Sequence, residues 1–532
     1  MSAAPRTVGR YVIETLAANG IDTAFGIPGV HNIELYRGLD SGRVRHVLAR
    51  HEQNAAFAAD GFARASGRVA AVFVISGPGL TNALTAIAQA ASDSVPMLVI
   101  ASTPVRASLG RHWGVLHELA DQRAVAAGAA GLALHASSPE EVRTHLAAAF
   151  AYLRGPRPRP AYLGIPLDLL AEPTALEPER FPAARPAPPP EAAAIEAARA
   201  LLADAQRPLI VVGGGARHAG AALTKLVTAL DGYLVTTAAG KGAVPESHPA
   251  NLGASLPYRA TQELIAQADV VVAAGTELAE TDIYTTTRIS FPGRLIRIDI
   301  DAAQLAGDSA AEVAIHADAS TALELLARSV RARRGWRSSA GAASEQRLAV
   351  EAQIREHFRH ALAAVRALRA AVPPDGVVFS DMTQIAYTGN YAFAADRPGC
   401  WFHPSGYGTL GFALPAAIGA RIARPERAVV ALAGDFGLQF TLPELMTAVE
   451  HKLSLPIVVW NNQALAQIRD DMLAAGIQPV GVAGRNPDFM GIAAACGARG
   501  KRVQGPDALI AEVRAALETQ GPTLLEARDT DF

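Results

Sequence analysis

The sequence predicts an α/β protein built from three doubly wound parallel-sheet domains. Short apolar runs without polar alternation, such as Ala428–Ala433 and Leu455–Trp460, are typical of strands buried on both faces of a parallel sheet. Amphipathic stretches of helical length separate such runs. A proline-rich stretch at Arg180–Ala192 and a polar, small-residue stretch at Arg331–Ser344 divide the 532 residues. We therefore expect a first domain over residues 1–180, a middle domain over 190–331 and a third domain over 345–532.

Composition narrows the functional class and the location. Half of the residues are hydrophobic and the formal net charge is -2, which gives no electrostatic basis for binding nucleic acid or an anionic membrane. Only Cys400 and Cys496 are present, without metal-ligand spacing, which favours a reducing compartment. The N-terminal segment lacks the apolar core of a signal peptide, and no apolar run approaches membrane-spanning length. These features predict a cytoplasmic protein.

Polar residues follow two neighbouring strands of the predicted third domain. Gly434-Asp435-Phe436-Gly437 follows the first strand, and Asn461-Asn462 follows the second. Between them, Thr441 to Glu444 has the composition of a capping box and predicts the start of a single helix. A right-handed crossover places both strand ends at one sheet edge, so Asp435 and Asn462 should face each other and suit Mg²⁺ carrying phosphate. The alternative is a tight turn and a strand-end cap without a ligand.

This pairing resembles the thiamine diphosphate motif, in which Gly-Asp-Gly is followed after a βαβ stretch by Asn-Asn. Phe436 stands where that family usually has the third glycine, so we expect Phe436 to point away and Gly437 to take over the turn. The resemblance implies that Asp435, Asn462 and the carbonyl of Ala464 bind Mg²⁺. It also implies cofactor contacts from Gly434, Phe436, Gly437 and Leu465.

The first and third domains also resemble each other. Gly61–Ser102 and Gly419–Asn462 share the order helix, buried strand, glycine turn, helix, proline and buried strand, which indicates an internal duplication. Two related domains flanking a third resemble the thiamine diphosphate enzymes of the acetohydroxyacid synthase and 2-oxo acid decarboxylase group. There the first domain binds the aminopyrimidine ring and the third binds the diphosphate. Because different subunits supply the two domains in that family, the resemblance implies a homodimer or homotetramer.

The resemblance assigns the first domain its catalytic glutamate. Phe25–Asn32 resembles the family's Gly-x-Pro-Gly turn and places Pro28 at the cofactor, as does Gly77 in a second glycine turn. Glu52 falls where the family keeps a glutamate that hydrogen-bonds N1′ of the aminopyrimidine and favours its imino tautomer. The alternative reading of Glu52 alone is an ordinary acid at a helix start.

Further cofactor contacts are implied in the third domain. In Ser405–Pro415, Leu410 occupies the place of the aliphatic residue that wedges under the cofactor, and the Gly408 carbonyl would accept from N4′. Thr383 and Gln384, after the predicted strand Val377–Ser380, would contact the diphosphate.

The middle domain departs from the FAD-binding synthases. Asn251–Tyr258 and Gly275–Asp282 match neither of their FAD motifs. Gly213-Gly214-Gly215 is better interpreted as a helix-start turn than as a dinucleotide fingerprint, because His218 replaces the third glycine. FAD is therefore disfavoured as a cofactor but stays an open alternative.

The predicted substrate channel is acidic. Leu116–Gln122 lies where relatives place substrate-facing residues, and carboxylates there could hold a guanidinium bidentately. His31 and His117 are candidates for proton transfer because imidazole titrates near neutrality. The alternative for each acid is a helix-surface charge. The candidate catalytic residues are Glu52, His31, His117 and Gln122, and the candidate substrate contacts are Val30, His31, His117, Glu118, Asp121, Gln467, Ile468 and Asp471, with Asp470 beside the last.

The chain as a whole resembles the 5-guanidino-2-oxopentanoate (2-ketoarginine) decarboxylases, through Phe25–Leu39 and Trp460–Met472. The resemblance implies a thiamine diphosphate- and Mg²⁺-dependent decarboxylase acting on a small 2-oxo acid with a basic side chain. One alternative is an acetolactate synthase-type carboligase. A second is a cofactor-binding regulatory protein without turnover, against which the presence of Glu52 and Asp435 argues.

Overall fold

The computed structural model describes residues 6–183, 186–284, 289–307, 309–332, 336 and 342–532. Within these ranges the chain forms three parallel β-sheets connected by helices, so the predicted α/β class is confirmed. Both predicted linkers extend outside the described residues, at 184–185 and at 333–335 and 337–341. The helices in these ranges lack the combination of length and apolar character that a membrane span requires.

The first sheet has the strand order β2-β1-β3-β4-β6-β5. Its strands are β1 (Thr23–Gly26), β2 (Arg45–Leu48), β3 (Ala71–Val74), β4 (Leu98–Thr103), β5 (Leu132–His135) and β6 (Ala161–Pro166). Its helices are α1 (Val8–Ala18), α2 (Ile33–Tyr36), α3 (Glu52–Ser66), α4 (Pro78–Ser92), α5 (Gln122–Ala127), α6 (Pro139–Leu153) and α7 (Leu167–Ala171), with 3-10 turns at Arg37–Ser41 and Arg106–Ser108.

The middle sheet has the order β11-β10-β9-β7-β8 and its own apolar core. The sequence predicts four of its strands, as Pro208–Val212, Tyr233–Thr237, Val270–Ala274 and Leu295–Ile300. The fifth, β11, was not predicted, because its side chains alternate between buried and exposed. The strands are β7 (Pro208–Val212), β8 (Tyr233–Thr236), β9 (Val270–Ala274), β10 (Arg294–Asp299) and β11 (Val313–His316). The helices are α8 (Ala192–Asp204), α9 (Gly220–Leu230), α10 (Arg259–Gln267), α11 (Glu280–Ile283), α12 (Ala302–Leu305) and α13 (Ala319–Ser329), with a 3-10 turn at Gly214–Ala216.

The third sheet, β13-β12-β14-β15-β17-β16, repeats the strand order of the first, in agreement with the predicted duplication. Its strands are β12 (Val377–Ser380), β13 (Trp401–Phe402), β14 (Val429–Gly434), β15 (Leu455–Asn461), β16 (Arg499–Val503) and β17 (Pro522–Arg528). Its helices are α14 (Ala342–Ala371, interrupted at Phe358), α15 (Gln384–Ala392), α16 (Ala413–Ala423), α17 (Asp435–Thr441), α18 (Glu444–Glu450), α19 (Ala466–Ala474), α20 (Phe489–Ala495) and α21 (Gly505–Glu518), with a 3-10 turn at Asp529–Asp531.

The connection between β14 and β15 differs from the prediction of a single helix capped at Thr441. Two helices, α17 and α18, fill it, and α17 begins at the strand end itself. Pro443 precedes α18 and supplies no side-chain cap. The capping-box prediction was wrong because the Glu444 carboxylate is engaged elsewhere: one oxygen accepts from Arg50 and Asn54 of the first domain, and the other accepts from Thr447 Oγ1.

Helices α3 and α16 pack the first domain against the third. A Cβ added at Gly61 would lie 2.0 Å from the Ala416 carbonyl oxygen, and one at Gly419 would lie 1.8 Å from that of Ala58. The two backbones therefore meet at the two glycines. Phe57 and Phe412 stack edge to face at 5.5 Å in the apolar core that both domains share.

Candidate active site

The third-domain half of the site lies at the carboxyl edge where β14 and β15 end. Gly434 of β14 pairs with Trp460 of β15, so Asp435 and the Asn461–Gln463 segment follow on the same edge. Asp435 is buried; its Oδ2 accepts the Gln463 N–H at 2.8 Å and its Oδ1 accepts the Phe436 N–H at 3.0 Å. Burial raises the pKa of Asp435.

Asn486 joins this edge and was not found by sequence reasoning. Its Nδ2 donates to Asp435 Oδ2 at 2.6 Å and to Asn461 Oδ1 at 2.9 Å. Gln439 Nε2 donates in turn to Asn486 Oδ1 at 3.2 Å. The signal available in the sequence is the run Asn486-Pro487-Asp488, directly before α20.

The donor set at this edge fits a hard divalent cation. No group of three His, Cys, Asp or Glu side chains that could hold a metal occurs among the described residues, so a metal here would depend on mixed oxygen ligands. Asp435 offers a carboxylate, Asn462 offers an amide oxygen that accepts the Ala464 N–H at 3.2 Å, and Ala464 offers a carbonyl. Oxygen donors of this kind are those that Mg²⁺ prefers.

Phe436 and Gly437 lie in the first turn of α17. The Phe436 ring packs near Gly484, where an added Cβ would lie 2.9 Å from the ring. Gly437 has no positive φ, so the prediction that it takes over a turn was wrong; the helix simply continues through it. Its lack of a side chain matters for another reason, because a Cβ there would lie 2.7 Å from Asp381 Oδ2.

Asp381, at the end of β12, holds the turn that carries Leu410. The Gly411 N–H donates to both of its carboxylate oxygens, at 2.8 and 3.0 Å, and the Met382 N–H donates to Oδ1 at 2.9 Å. Gly408 and Gly411 flank Leu410 with φ of +70° and +86°, which glycine adopts without strain. Burial raises the pKa of Asp381 to about 7.

The other predicted residues of the third domain lie around this edge. Thr383 precedes α15, and a Cβ at Gly434 would lie 3.0 Å from its Oγ1. Gln384 accepts from Asn462 Nδ2 at 3.4 Å and donates to Asp470 Oδ2 at 3.3 Å. The remaining residues lie in or before α19: the Leu465 N–H donates to the Val482 carbonyl at 2.7 Å, Gln467 donates to Asp471 at 3.0 Å, and the Ile468 side chain is exposed.

The first-domain half contains a pair of imidazoles. His31, in the loop after β1 that also contains Pro28 and exposed Val30, hydrogen-bonds Ser76 Oγ through Nδ1 at 2.9 Å. The rings of His31 and His117 meet edge to face at 4.8 Å. His117 has a φ of +64° and a buried Nδ1 without a hydrogen-bond partner. Burial and the neighbouring His117 lower the pKa of His31.

Glu52 is the first residue of α3. Its Oε2 accepts a hydrogen bond from Asn82 Nδ2, in α4, at 2.9 Å. Gly77, just before α4, has a φ of +58°, and a Cβ there would lie 2.6 Å from the His117 carbonyl oxygen. Glycine at this position therefore lets the His117 loop close over the start of α4.

Gln122, Glu118 and Asp121 are all engaged by nearby backbone. Gln122 is buried; it accepts the Gly77 N–H at 3.0 Å and donates to the Ser102 carbonyl and to Tyr162 Oη. Glu118 accepts the Gly114 N–H at 2.8 Å, and Asp121 caps α5 by accepting the Ala124 N–H at 2.9 Å. Gln122 therefore links the Gly77 turn to Ser102 and Tyr162. Glu118 is the residue directly after His117.

The predicted residues form two sets, one on each domain. No hydrogen bond between described residues joins the first-domain set around Glu52 to the third-domain set around Asp435. Exposed apolar side chains flank both sets: Val30, Trp113 and Leu116 beside the first, and Tyr407, Phe440 and Ile468 beside the third.

The glycine triplet of the middle domain packs against backbone. A Cβ at Gly213 would lie 2.1 Å from the Gly275 carbonyl oxygen, and Gly275 itself has a φ of +59°. Close approach of the turns after β7 and β9 therefore accounts for these glycines, in line with the reading of a helix-start turn.

Two sheets of equal strand order, an acidic residue with amide and carbonyl oxygens at the carboxyl edge of one, and a glutamate at a helix start beside the other are features of a class of cofactor-dependent α/β enzymes. Family models for thiamine pyrophosphate enzymes match all three domains: the N-terminal TPP binding domain at residues 6–125, the central domain at 195–326 and the C-terminal TPP binding domain at 381–527. The chain belongs to the thiamine pyrophosphate enzyme family.

Relatives cover nearly the whole chain. A protein named "Probable 2-ketoarginine decarboxylase AruI" from Pseudomonas aeruginosa is 47% identical over 98% of this chain and 94% of its own length. The acetolactate synthase isozyme 1 large subunit of Escherichia coli is 29% identical over 98% of this chain and 94% of its own. The isozyme 2 large subunit is 30% identical over 97% and 94%.

Proposed function

We propose that this chain catalyses the thiamine diphosphate- and Mg²⁺-dependent, non-oxidative decarboxylation of a 2-oxo acid with a basic, guanidino side chain to the aldehyde and CO₂. The observation that carries the proposal is the 47% identity, over 98% of the chain, to a protein named as a probable 2-ketoarginine decarboxylase. Acetolactate synthases are more distant, at 29% and 30%.

The third domain would hold the diphosphate and the metal. Asp435, Asn462 and the Ala464 carbonyl are the proposed Mg²⁺ ligands, supported by their oxygen donors at one sheet edge. When bound, thiamine diphosphate supplies a carbon nucleophile that adds to the 2-oxo group and takes up the electron pair released with CO₂. The residues proposed to line it are Pro28, Gly77, Thr383, Gln384, Gly408, Leu410, Gly434, Phe436, Gly437 and Leu465.

Glu52 is the proposed proton carrier at the aminopyrimidine. A hydrogen bond from its carboxyl group to N1′ would favour the imino tautomer and so increase the basicity of the exocyclic nitrogen. Asn82 supports this role because its amide orients the Glu52 carboxylate from the next helix. His31 and His117 are the proposed proton donors on the substrate side, since their rings are in contact and His117 Nδ1 lacks a partner.

Carboxylates near both sets support a cationic substrate. Asp470 bonds Gln384, which in turn bonds Asn462 at the metal edge, so α19 approaches the cofactor half with its acidic pair Asp470-Asp471. On the other domain Glu118 follows His117. A guanidinium presents several N–H donors in one plane and suits such carboxylates. Val30, Asp121, Gln467 and Ile468 remain proposed substrate contacts.

We further propose that the site is completed by a second copy of the chain, in a homodimer or homotetramer. Two observations support this arrangement: the hydrogen bonds of the described residues do not join the Glu52 set to the Asp435 set, and exposed apolar side chains lie beside each set. Free Cys400 and Cys496 support the proposed cytoplasmic location.

The test is to supply the purified protein with thiamine diphosphate and Mg²⁺, but no FAD, and to offer single 2-oxo acids. We expect 5-guanidino-2-oxopentanoate to give CO₂ and the guanidino aldehyde faster than pyruvate, branched or aromatic 2-oxo acids react, as identified by mass spectrometry. Acetolactate from pyruvate as the main product would favour the carboligase alternative, and cofactor binding without any CO₂ release would favour the regulatory one.

A further inference from the structure

Two polar side chains of the first domain contact the turn that carries Leu410, here called the Leu410 turn (residues 405–411). Gln89 Oε1 accepts hydrogen bonds from Thr409, from Oγ1 at 3.0 Å and from the backbone N–H at 3.4 Å. Asp93 Oδ1 accepts the Gly406 N–H at 2.8 Å. Both acceptors lie at the C-terminal end of α4, so one helix end holds two points of the turn.

The two side chains are themselves fixed by buried partners. Gln89 is fully buried and donates through Nε2 to Asp93 Oδ2 at 2.8 Å. Arg64 donates to the same oxygen at 2.7 Å and to fully buried Asp60 at 3.2 Å. Because these side chains bond one another and have little access to water, the network favours a single arrangement.

The fit between the helix end and the turn is tight. A Cβ at Gly406 would lie 2.5 Å from Asp93 Oδ1 and 2.7 Å from the Cβ of Ser92. On its other side the turn is held by Asp381, which accepts the Gly411 N–H. The position of Leu410 is therefore set by groups of the first and the third domain. Only the third domain contains the sheet edge that is proposed to bind the diphosphate.

Helix α3 connects this network with Glu52. Glu52 begins α3, and Asp60 and Arg64 follow it on the same helix, about 12 to 18 Å further along the axis at 1.5 Å per residue. Asp93, which accepts the Gly406 N–H of the Leu410 turn, is therefore held by Arg64 of the helix that also contains the proposed catalytic Glu52.

We propose that Gln89 and Asp93 are positioning residues for the cofactor, which hold the Leu410 turn in place from the first domain of the same chain. The proposal rests on the proposed function only in taking thiamine diphosphate as the ligand of the turn. Neither side chain acts on the substrate; both act through the backbone and the Thr409 side chain.

The test uses the full-length protein and measures cofactor binding apart from turnover. Gln89→Leu should weaken thiamine diphosphate binding about 5- to 10-fold, the effect of losing one net hydrogen bond, in a fluorescence titration with Mg²⁺ present. The near-ultraviolet circular dichroism of the saturated variant should also differ from that of the wild type. The control is Asp168→Leu, which removes a similar pair of contacts, those to the Arg106 N–H and guanidinium, inside the first domain; it should bind the cofactor as the wild type does.

A second variant tests whether Gln89 acts through the turn. Thr409→Val removes the hydroxyl group that donates a hydrogen bond to Gln89. The effect of Thr409→Val on cofactor affinity should therefore largely disappear when Gln89→Leu is already present. Additive effects of the two substitutions, or wild-type cofactor affinity in both single variants, would contradict the proposal. If Gln89→Leu does not fold, the cofactor affinity of Thr409→Val decides the test. A wild-type protein that binds the cofactor but releases no CO₂ would contradict the proposed function and leave the titration valid; one that binds no cofactor would contradict both.

Discussion

The carboxylate of Glu444, in α18 of the third domain, accepts the backbone N–H of Arg50 at 2.7 Å, two residues before Glu52. The same oxygen accepts Asn54 Nδ2 at 3.1 Å, and the other accepts Thr447 Oγ1 at 2.7 Å. Burial raises the pKa of Glu444. The start of helix α3, and with it the proposed catalytic glutamate, is thus held by a buried acid of another domain.

Glu444→Ala should lower stability and activity together. The variant leaves the Asn54 amide and the Arg50 N–H without their buried acceptor, which costs about 1–3 kcal/mol. Thermal unfolding and steady-state turnover measure the two effects. Glu450→Ala is the matched control, because its ion pair with Arg50 lies at the surface and contributes roughly 0–1 kcal/mol. Equal unfolding temperatures for the two variants would show that Glu444 does not hold α3.

Glu52→Gln should keep the fold and the cofactor but lose turnover by roughly 10²–10⁴, the scale of a positioned acid–base group. The amide can still accept from Asn82 but cannot share a proton with the aminopyrimidine. Initial rates and a cofactor titration separate the two properties. Glu140→Gln, also an acid in the first turn of a helix, is the control and should be fully active. Wild-type rates in Glu52→Gln would remove Glu52 from the mechanism.

The stability of the cofactor-free protein should depend on pH through Asp381. Its carboxyl group has a pKa of about 7 in the folded chain and about 3.9 when unfolded, so the folded state binds the extra proton between these values. Stability contributed by this group therefore falls as pH rises from about 4 to about 7. The difference in unfolding temperature between the wild type and Asp381→Asn should follow that trend, and a constant difference would contradict the raised pKa.

Asp471→Asn should affect cationic substrates selectively. Loss of a charge-assisted hydrogen bond should raise KM for 5-guanidino-2-oxopentanoate roughly tenfold or more, while an uncharged 2-oxo acid of equal chain length keeps its KM. Asp488→Asn, which removes a charge in the same domain but keeps an oxygen that can cap α20, serves as the control. If both substrates respond alike, Asp471 is a surface charge and the cation is recognised elsewhere.

Much of the fold follows from local pattern. Buried runs without alternation predict β14 and β15 within a residue or so of their ends, because a strand covered on both faces needs apolar residues throughout. The edge strand β11 escapes the same reasoning, since alternate side chains face solvent. The composition of Thr441 to Glu444 is typical of a helix start, but the Glu444 carboxylate accepts a hydrogen bond from Arg50, which is distant in sequence.

Site residues could be predicted from the sequence only where they belong to a local motif. Asp435 and Asn462 follow strands and could be placed at one edge, whereas Asn486 lies in a loop whose path depends on tertiary packing. The contact between His31 and His117 likewise joins two loops far apart in sequence. No local sequence pattern indicates the hydrogen bond from the Gly77 N–H to Gln122 or the one from Thr409 to Gln89. Each bond depends on how helices of different segments pack.

The most direct test of the account asks whether Glu52 and Asp435 of two chains form one site. Differently tagged Glu52→Gln and Asp435→Ala chains are expressed separately and together, and CO₂ release from 5-guanidino-2-oxopentanoate is measured with thiamine diphosphate and Mg²⁺. Each variant alone should be nearly inactive. The co-expressed pair should regain about a quarter of wild-type activity, since about half of the dimers are mixed and each mixed dimer has one intact site. A pair that stays as inactive as its parents, or substantial activity in either parent, would contradict the account.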